Sequence, residues 1–238
     1  MQRVIIIGAT SGIGLELAKL YIKNNVLVGA TGRRKELLEN LQNEFPSQVK
    51  VECFDVMANE NIRHVESLIE KLGGLDILIY NTGFGDVSKN LEWSIDKQTT
   101  QTNVNGFIEI VNYAFNYFAR QGNGQIAATS SVGSIRGNSW APAYSASKAF
   151  MSVYMEGLHM KAKKMKLNIA VTDILPGFVN TKLAKGNKQF WIVKVEKAAK
   201  QIFDAIKKKK RRVYVSRRWR LIAWILRWMP YGIYRRMA

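Results

Sequence analysis

The strongest constraint on the fold lies at the start of the chain. There the apolar run of residues 2–7 (QRVIII) ends in Gly8-Ala9-Thr10-Ser11-Gly12-Ile13-Gly14 and passes directly into a helical pattern over 15–23. Consecutive Val and Ile residues without polar alternation read as a strand buried on both faces, which needs helices above and below a parallel sheet. Glycines let the chain turn sharply and bring its backbone close to a ligand. The helix that follows aims its unpaired N–H groups and the positive end of its dipole at the turn. Strand, glycine-rich turn and helix N-terminus together hold phosphate groups, here with the spacing G-x-x-x-G-x-G.

The rest of the chain repeats this alternation. Strands are predicted over 26–30, 49–54, 75–80, 125–129, 167–175 and 213–215, and helices over 35–45, 59–72, 96–120, 143–166 and 195–207. That order specifies an α/β fold, a doubly wound parallel sheet of about seven strands with helices on both faces. With 238 residues, 47% of them hydrophobic, the chain suits one domain, assigned to residues 1–216. Residues 217–238 form a basic, tryptophan-rich extension that is not a domain of its own. Cys53, the single cysteine, lies in an apolar run and is expected to be a buried, inert thiol. No basic, apolar and cleavable leader precedes the first strand, so the cytoplasm is the expected location.

Ligands of open α/β sheets lie beyond the carboxyl ends of the strands, so polar residues there are site candidates. The second strand ends in Thr31-Gly32-Arg33-Arg34. An acid at this point would bind an adenosine ribose, whereas arginine suits a ribose 2'-phosphate, so NADP is expected over NAD. Asp55-Val56 and Asn81-Thr82-Gly83 end the next two strands on the same edge, and Asn103 lies in an apolar stretch where its amide needs partners. Tyr144 and Lys148 are one helical turn apart and project from one face, an arrangement in which the ammonium would lower the phenol's pKa and make it an acid/base. His64 and His159 have no neighbouring Cys or His, and no metal site is expected.

Taken jointly, Gly8-x3-Gly12-x-Gly14, Asn81-Thr82-Gly83, Asn103, Ser131, Tyr144-x3-Lys148 and Pro176-Gly177 with Thr181 resemble the short-chain dehydrogenase/reductase family. The resemblance covers roughly residues 2–181, with threonine at position 82 where the family usually has alanine. It implies a Rossmann-like fold and an NADP(H)-dependent enzyme interconverting a carbonyl and an alcohol. In that scheme Tyr144 moves the proton, Ser131 stabilises charge on the substrate oxygen, and Lys148 holds the nicotinamide ribose and depresses the Tyr144 pKa. Asn103 anchors a water that leads to Lys148. The cofactor-binding set it implies is Gly8, Thr10, Ser11, Gly12, Ile13, Gly14, Arg33, Arg34, Asp55, Val56, Asn81, Gly83, Tyr144, Lys148, Pro176, Gly177 and Thr181. Because Ser11 stands where some NADP-preferring members carry a basic residue, the NADP expectation leans on Arg33. A homodimer or homotetramer is implied, built on the helices of 96–120 and 143–166.

Three loops bear on the substrate, 84–93, 132–140 and 178–191. Their residues Phe84, Trp93, Ile135, Trp140, Phe178, Phe190 and Trp191 either line an apolar pocket or cap the core. Arg136 reads as a solvated arginine or as a contact for an anionic substrate group. Of the net charge of +18, residues 194–238 carry +13, from 15 Lys and Arg against two acids. If helical, the stretch after Arg218 places Leu221, Trp224, Ile225 and Trp228 on one stripe flanked by arginines. It is too short to span a bilayer but suited to peripheral contact with the inner membrane surface, and such a location would suit a lipophilic ketone such as a 3-keto lipid, sphingoid or 3-ketoacyl compound. The alternative is that the stripe packs on the body or on another subunit. A catalytically silent NADP-sensing or nucleic-acid-binding protein is the competing reading. It gives no reason for the complete set Asn103, Ser131, Tyr144 and Lys148, and the tail has no motif for specific nucleic acid.

Overall fold

The computed structural model describes residues 1–181 and 191–236. Its centre is β1 (Arg3–Ile7), flanked by β2 (Leu27–Gly32) and β4 (Ile77–Tyr80). With β3 (Val49–Cys53), β5 (Asn123–Thr129), β6 (Asn168–Pro176) and β7 (Arg212–Val215) these form one sheet in the order β3-β2-β1-β4-β5-β6-β7. Every pair is parallel.

The apolar run of β1 follows from its place. Val4 and Ile6 enter the core beneath α1 (Gly12–Lys23), α2 (Lys35–Glu44) and α7 (Val195–Lys207). Ile5 and Ile7 enter the opposite core, beneath α3 (Asn61–Leu72), α5 (Gly106–Gln121) and α6 (Pro142–Lys164). Each such side chain, removed from water, stabilises the fold by about 1.5–3 kcal/mol. β1 connects outward to β2 and β3 on one side while β4 continues the sheet on the other. The crevice therefore opens between the ends of β1 and β4, where the glycine turn and Asn81 lie.

Two features differ from the sequence expectations, and a third rules out one alternative left open for the tail. The helix expected over 96–120 is α4 (Trp93–Thr100), a π-helical turn (Gln101–Asn105) and α5. The wider turn shifts the register of the helix at Asn103, which is fully buried. Cys53 is exposed rather than buried, because it ends the edge strand β3. The tail stripe is also not what packs on the body. The inner face of α8 (Trp219–Trp228), made of Trp219, Ile222, Ala223 and Leu226, is buried or half-buried, whereas Leu221, Trp224, Ile225 and Trp228 are exposed on the opposite face. Pro230 separates α8 from α9 (Tyr231–Tyr234).

Candidate active site

The glycine turn is shaped by contacts that leave no room for a side chain. Gly8 has φ +89°, and a Cβ there would lie 2.8 Å from the Thr82 nitrogen, so Thr82 fits only against a glycine. A Cβ on Gly14 would lie 1.9 Å from the Gly8 carbonyl oxygen. Gly12, at φ +57°, faces the Thr181 methyl, which would stand 3.4 Å from a Cβ. The first turn of α1 holds no acid and its N-cap, Ser11, makes no capping bond, while the Ile13 side chain is in the core. What this turn presents outward is backbone N–H, and an anion fits it. Arg34 reinforces this by donating to the Thr10 hydroxyl at 2.6 Å and the Ser11 hydroxyl at 2.7 Å. The basic charge missing from position 11 is thus delivered by Arg34, while Arg33 pairs with Asp55 at 3.4 Å. Val56 turns its side chain into the core.

From the turn a chain of hydrogen bonds runs across the sheet edge. Asn81 Nδ2 donates to the Gly8 carbonyl at 3.2 Å, and its Oδ1 accepts from the Thr129 hydroxyl at 3.1 Å. The Thr129 carbonyl accepts from Lys148 Nζ at 2.9 Å. Asn103 clamps Phe84, accepting from its N–H at 2.9 Å and donating to its carbonyl at 2.6 Å, and also donates to the Ser147 hydroxyl at 3.0 Å. A Cβ at Gly83 would lie 3.1 Å from Lys148 Nζ and 3.4 Å from Asn103 Oδ1, so Gly83 leaves room for both the amide and the ammonium beside it.

Ser131 follows β5 as the N-cap of a short 3-10 turn, where its hydroxyl accepts from the Gly133 N–H at 3.0 Å, and a Cβ on Gly133 would lie 3.3 Å from that hydroxyl and 3.7 Å from the Tyr144 ring, so the two side chains meet at this glycine. Pro142 at the N-terminus of α6 presets the first turn of the helix that carries Tyr144 and Lys148. The expected lowering of the phenol is not found. Burial pushes Tyr144 above its ordinary value, Ser131 pulling it part of the way back. Lys148 Nζ is turned toward Thr129 and lies 5.9 Å from the Tyr144 ring centre. Lys148, 2% exposed, is itself drawn down to about 7 by burial, opposed by the Asp173 carboxylate.

Asp173, Gly85 and Ser147 carry weight here without having stood out in the sequence. Asp173, buried on β6, accepts from Ser130 at 2.5 Å, Ser152 at 2.6 Å and Arg212 at 3.1 Å. A Cβ on Gly85 would lie 2.2 Å from the Tyr144 ring, so this glycine seats the phenol. The Gly83-Phe84-Gly85 spacing was the available signal for Gly85, whereas an aspartate inside an apolar strand gave none for its function.

The loops divide. Ile135 and Phe178 pack under α8, while Trp93 and Trp140 are exposed; Phe190 lies outside the described residues. Arg136 is neither solvated nor free for a substrate. It donates to the Leu226 and Met229 carbonyls at the end of α8 and stacks over the Tyr234 ring. Gly177 follows Pro176 and packs under Trp219, whose indole nitrogen a Cβ would meet at 2.0 Å. Among the described residues no group of three or more His, Cys, Asp and Glu side chains could hold a metal ion.

Comparison with known proteins agrees with this geometry. The short chain dehydrogenase family model matches residues 2–190. An uncharacterized oxidoreductase of Myxococcus xanthus (strain DK1622) is 32% identical over 192 residues, which is 78% of this chain and 75% of the relative. The 3-ketoacyl-(acyl-carrier-protein) reductase from Brucella melitensis, solved as a complex with NADH, shares the fold with a TM-score of 0.80 at 20% identity, over 90% of this chain and 96% of that one. A 3-ketoacyl-ACP reductase from Sinorhizobium meliloti 1021 gives a TM-score of 0.79 at 24% identity, over 89% and 96%.

Proposed function

The chain belongs to the short-chain dehydrogenase family and is an oxidoreductase, and we propose that it uses NADP(H) to interconvert a carbonyl and a secondary alcohol, acting as a reductase of a lipophilic ketone. The observation that carries this reading is the meeting of Tyr144 and Ser131 at Gly133, on the same sheet edge as the glycine turn, with Lys148 buried 5.9 Å from the Tyr144 ring centre.

When bound, NADP(H) supplies the hydride that the carbonyl carbon accepts. The turn from Gly8 to Gly14 would hold its pyrophosphate, Arg33 and Arg34 the 2'-phosphate, Asp55 and the Val56 backbone the adenine, and Lys148 the nicotinamide ribose. Asn81 and Gly83 would form the floor, with Pro176, Gly177 and Thr181 at the nicotinamide end. Ser131 holds the substrate oxygen, and Tyr144 donates its proton there as negative charge develops. Burial raises the phenol and keeps it in the protonated form that Tyr144 needs as a proton donor. Asn103 would anchor a water through which Lys148 is reprotonated, supported by the approach of both groups to Gly83.

The contact of Arg34 with Thr10 and Ser11 supports NADP over NAD, since it keeps a guanidinium beside the glycine turn, where it would meet a 2'-phosphate. Exposed apolar side chains on the substrate loops, Leu91, Trp93 and Trp140, support a lipophilic ketone of the 3-keto lipid, sphingoid or 3-ketoacyl type. Val153 and Met160, exposed on α6, support association of copies through α5 and α6.

The test is NADPH consumption with a panel of 3-keto lipids, comparing the native chain with Tyr144→Phe. The variant should lose at least about a hundredfold in turnover while binding NADPH normally. Undiminished turnover would defeat the assignment.

A further inference from the structure

α8 is apolar on two opposite faces, and the body needs only one of them. Its inner residues Trp219, Ile222, Ala223 and Leu226 pack against Val132, Leu175 and the loops around Ile135 and Phe178. Leu175 lies near the end of β6, and the others lie in the segments that follow β5 and β6, directly beyond Ser131 and Pro176. Arg136 fixes the far end by hydrogen-bonding the last carbonyls of α8, and Tyr234 donates to the Gly137 carbonyl. The helix is therefore held rigidly at the sheet edge that carries the active site. Its outer stripe shows Trp224 63% and Trp228 72% exposed, with Leu221 and Ile225 beside them. The body gives these residues no cover among the described residues.

The charge around the stripe selects its occupant. Residues 216–236 contain six arginines and no acid, all six arginines are exposed, and the basic run Lys207–Arg212 leads into β7. A second copy seated on the same stripe would bring two such surfaces together, which like-charge repulsion opposes. An anionic lipid surface satisfies both features. Tryptophan and isoleucine enter the headgroup and acyl boundary, and arginines beside them meet lipid phosphates. No described helix is long and apolar enough to cross a membrane, so the contact is a surface one.

We propose that the outer face of α8 docks on anionic phospholipid membrane and so sets the mouth of the active site against the lipid surface. A substrate dissolved in the bilayer would then reach Ser131 and Tyr144 without crossing water. The docking surface stands whether or not carbonyl reduction does, because it shares no residue with the catalytic group.

The experiment is vesicle flotation of the full chain with phosphatidylcholine vesicles, with and without about a third phosphatidylglycerol, at low and high salt. The variant is Trp224→Ser with Trp228→Ser. Both residues are exposed, and an NADPH titration checks that the fold is kept. The native chain should float with the anionic vesicles, at least tenfold less well at high salt, and the variant should lose tenfold or more while NADPH binding is unchanged. Failure to float with anionic vesicles at low salt, equal flotation with neutral ones, or an undiminished variant would each overturn the proposal. So would a concentration-dependent dimer or a bound oligonucleotide that the variant abolishes without any effect on vesicles.

Discussion

Nucleotide affinity should fall with rising pH, and Lys148 sets where. An exposed lysine titrates near ~10.4, but burial draws Lys148 down to about 7 in the free chain, with Asp173 opposing. A bound nucleotide adds phosphate charge and ribose hydroxyls that favour the ammonium, so the complex keeps this proton to a higher pH than the free chain does. Below about 7 both forms are protonated and affinity is flat. Above it the free chain has lost a proton that the complex must take up, so binding weakens by at most about tenfold per pH unit. With the free value at about 7, the ammonium fraction falls from roughly nine-tenths at pH 6 to roughly one-thirtieth at pH 8.5, which predicts about thirtyfold weaker NADPH binding. Fluorescence titration across this range measures the slope, and calorimetry in two buffers of different ionisation heat counts the proton. Lys148→Met should bind weakly throughout and lose the slope. Asp173→Asn should move the descent to lower pH, since it removes the carboxylate that opposes the shift. Flat affinity from pH 6 to 9 without proton uptake would refute the reasoning, and a slope surviving in Lys148→Met would assign it to another group.

Arg34→Ala removes charge-assisted hydrogen bonds at the glycine turn and should weaken NADPH by about ten- to a hundredfold while barely changing NADH; an unchanged ratio of the two dissociation constants would show that Arg33 or another group reads the phosphate. Gly85→Ala places a methyl against the Tyr144 ring, so turnover should drop by about a hundredfold at nearly native NADPH affinity, and equal loss of both would mean a general disruption instead. Trp219→Ala empties the space between Gly177, Phe178 and Leu175 and should cost about 3–5 kcal/mol in urea unfolding; a cost below about 1 kcal/mol would mean that α8 is not anchored there.

The fold was legible because its signals are local. Val4 to Ile7 had to be buried on both faces, and six repeats of helix followed by strand left one class of sheet to form them. Most of the candidate site followed from the same logic, since a parallel sheet brings its strand ends to one edge whatever the loops do. The tyrosine's ionisation was not legible. Helical spacing places Lys148 on the same side as Tyr144, but not the direction of its ammonium, which Thr129 settles from β5 by accepting its hydrogen bond. The π-helical turn at Asn103 was likewise invisible, because it depends on Phe84 and Ser147, partners 19 and 44 residues away in sequence.

The tail shows why periodicity alone cannot say which face of a helix is buried. Leu221, Trp224, Ile225 and Trp228 make a clear apolar stripe, and pattern reasoning offers it to the nearest core. Yet the opposite side holds Trp219, Ile222, Ala223 and Leu226, smaller in sum and less conspicuous in sequence. Gly177 decides between them, since only a glycine leaves space for an indole against the chain beyond β6. Arg136 adds to the choice by capping α8 at its last carbonyls, which fixes the helix in position along the loop. Once those two contacts set the rotation, Trp224 and Trp228 must face outward, and the arginines beside them follow at helical spacing. The exposed stripe is therefore a consequence of how the helix is anchored, and its tryptophans have to be accounted for by something outside the fold.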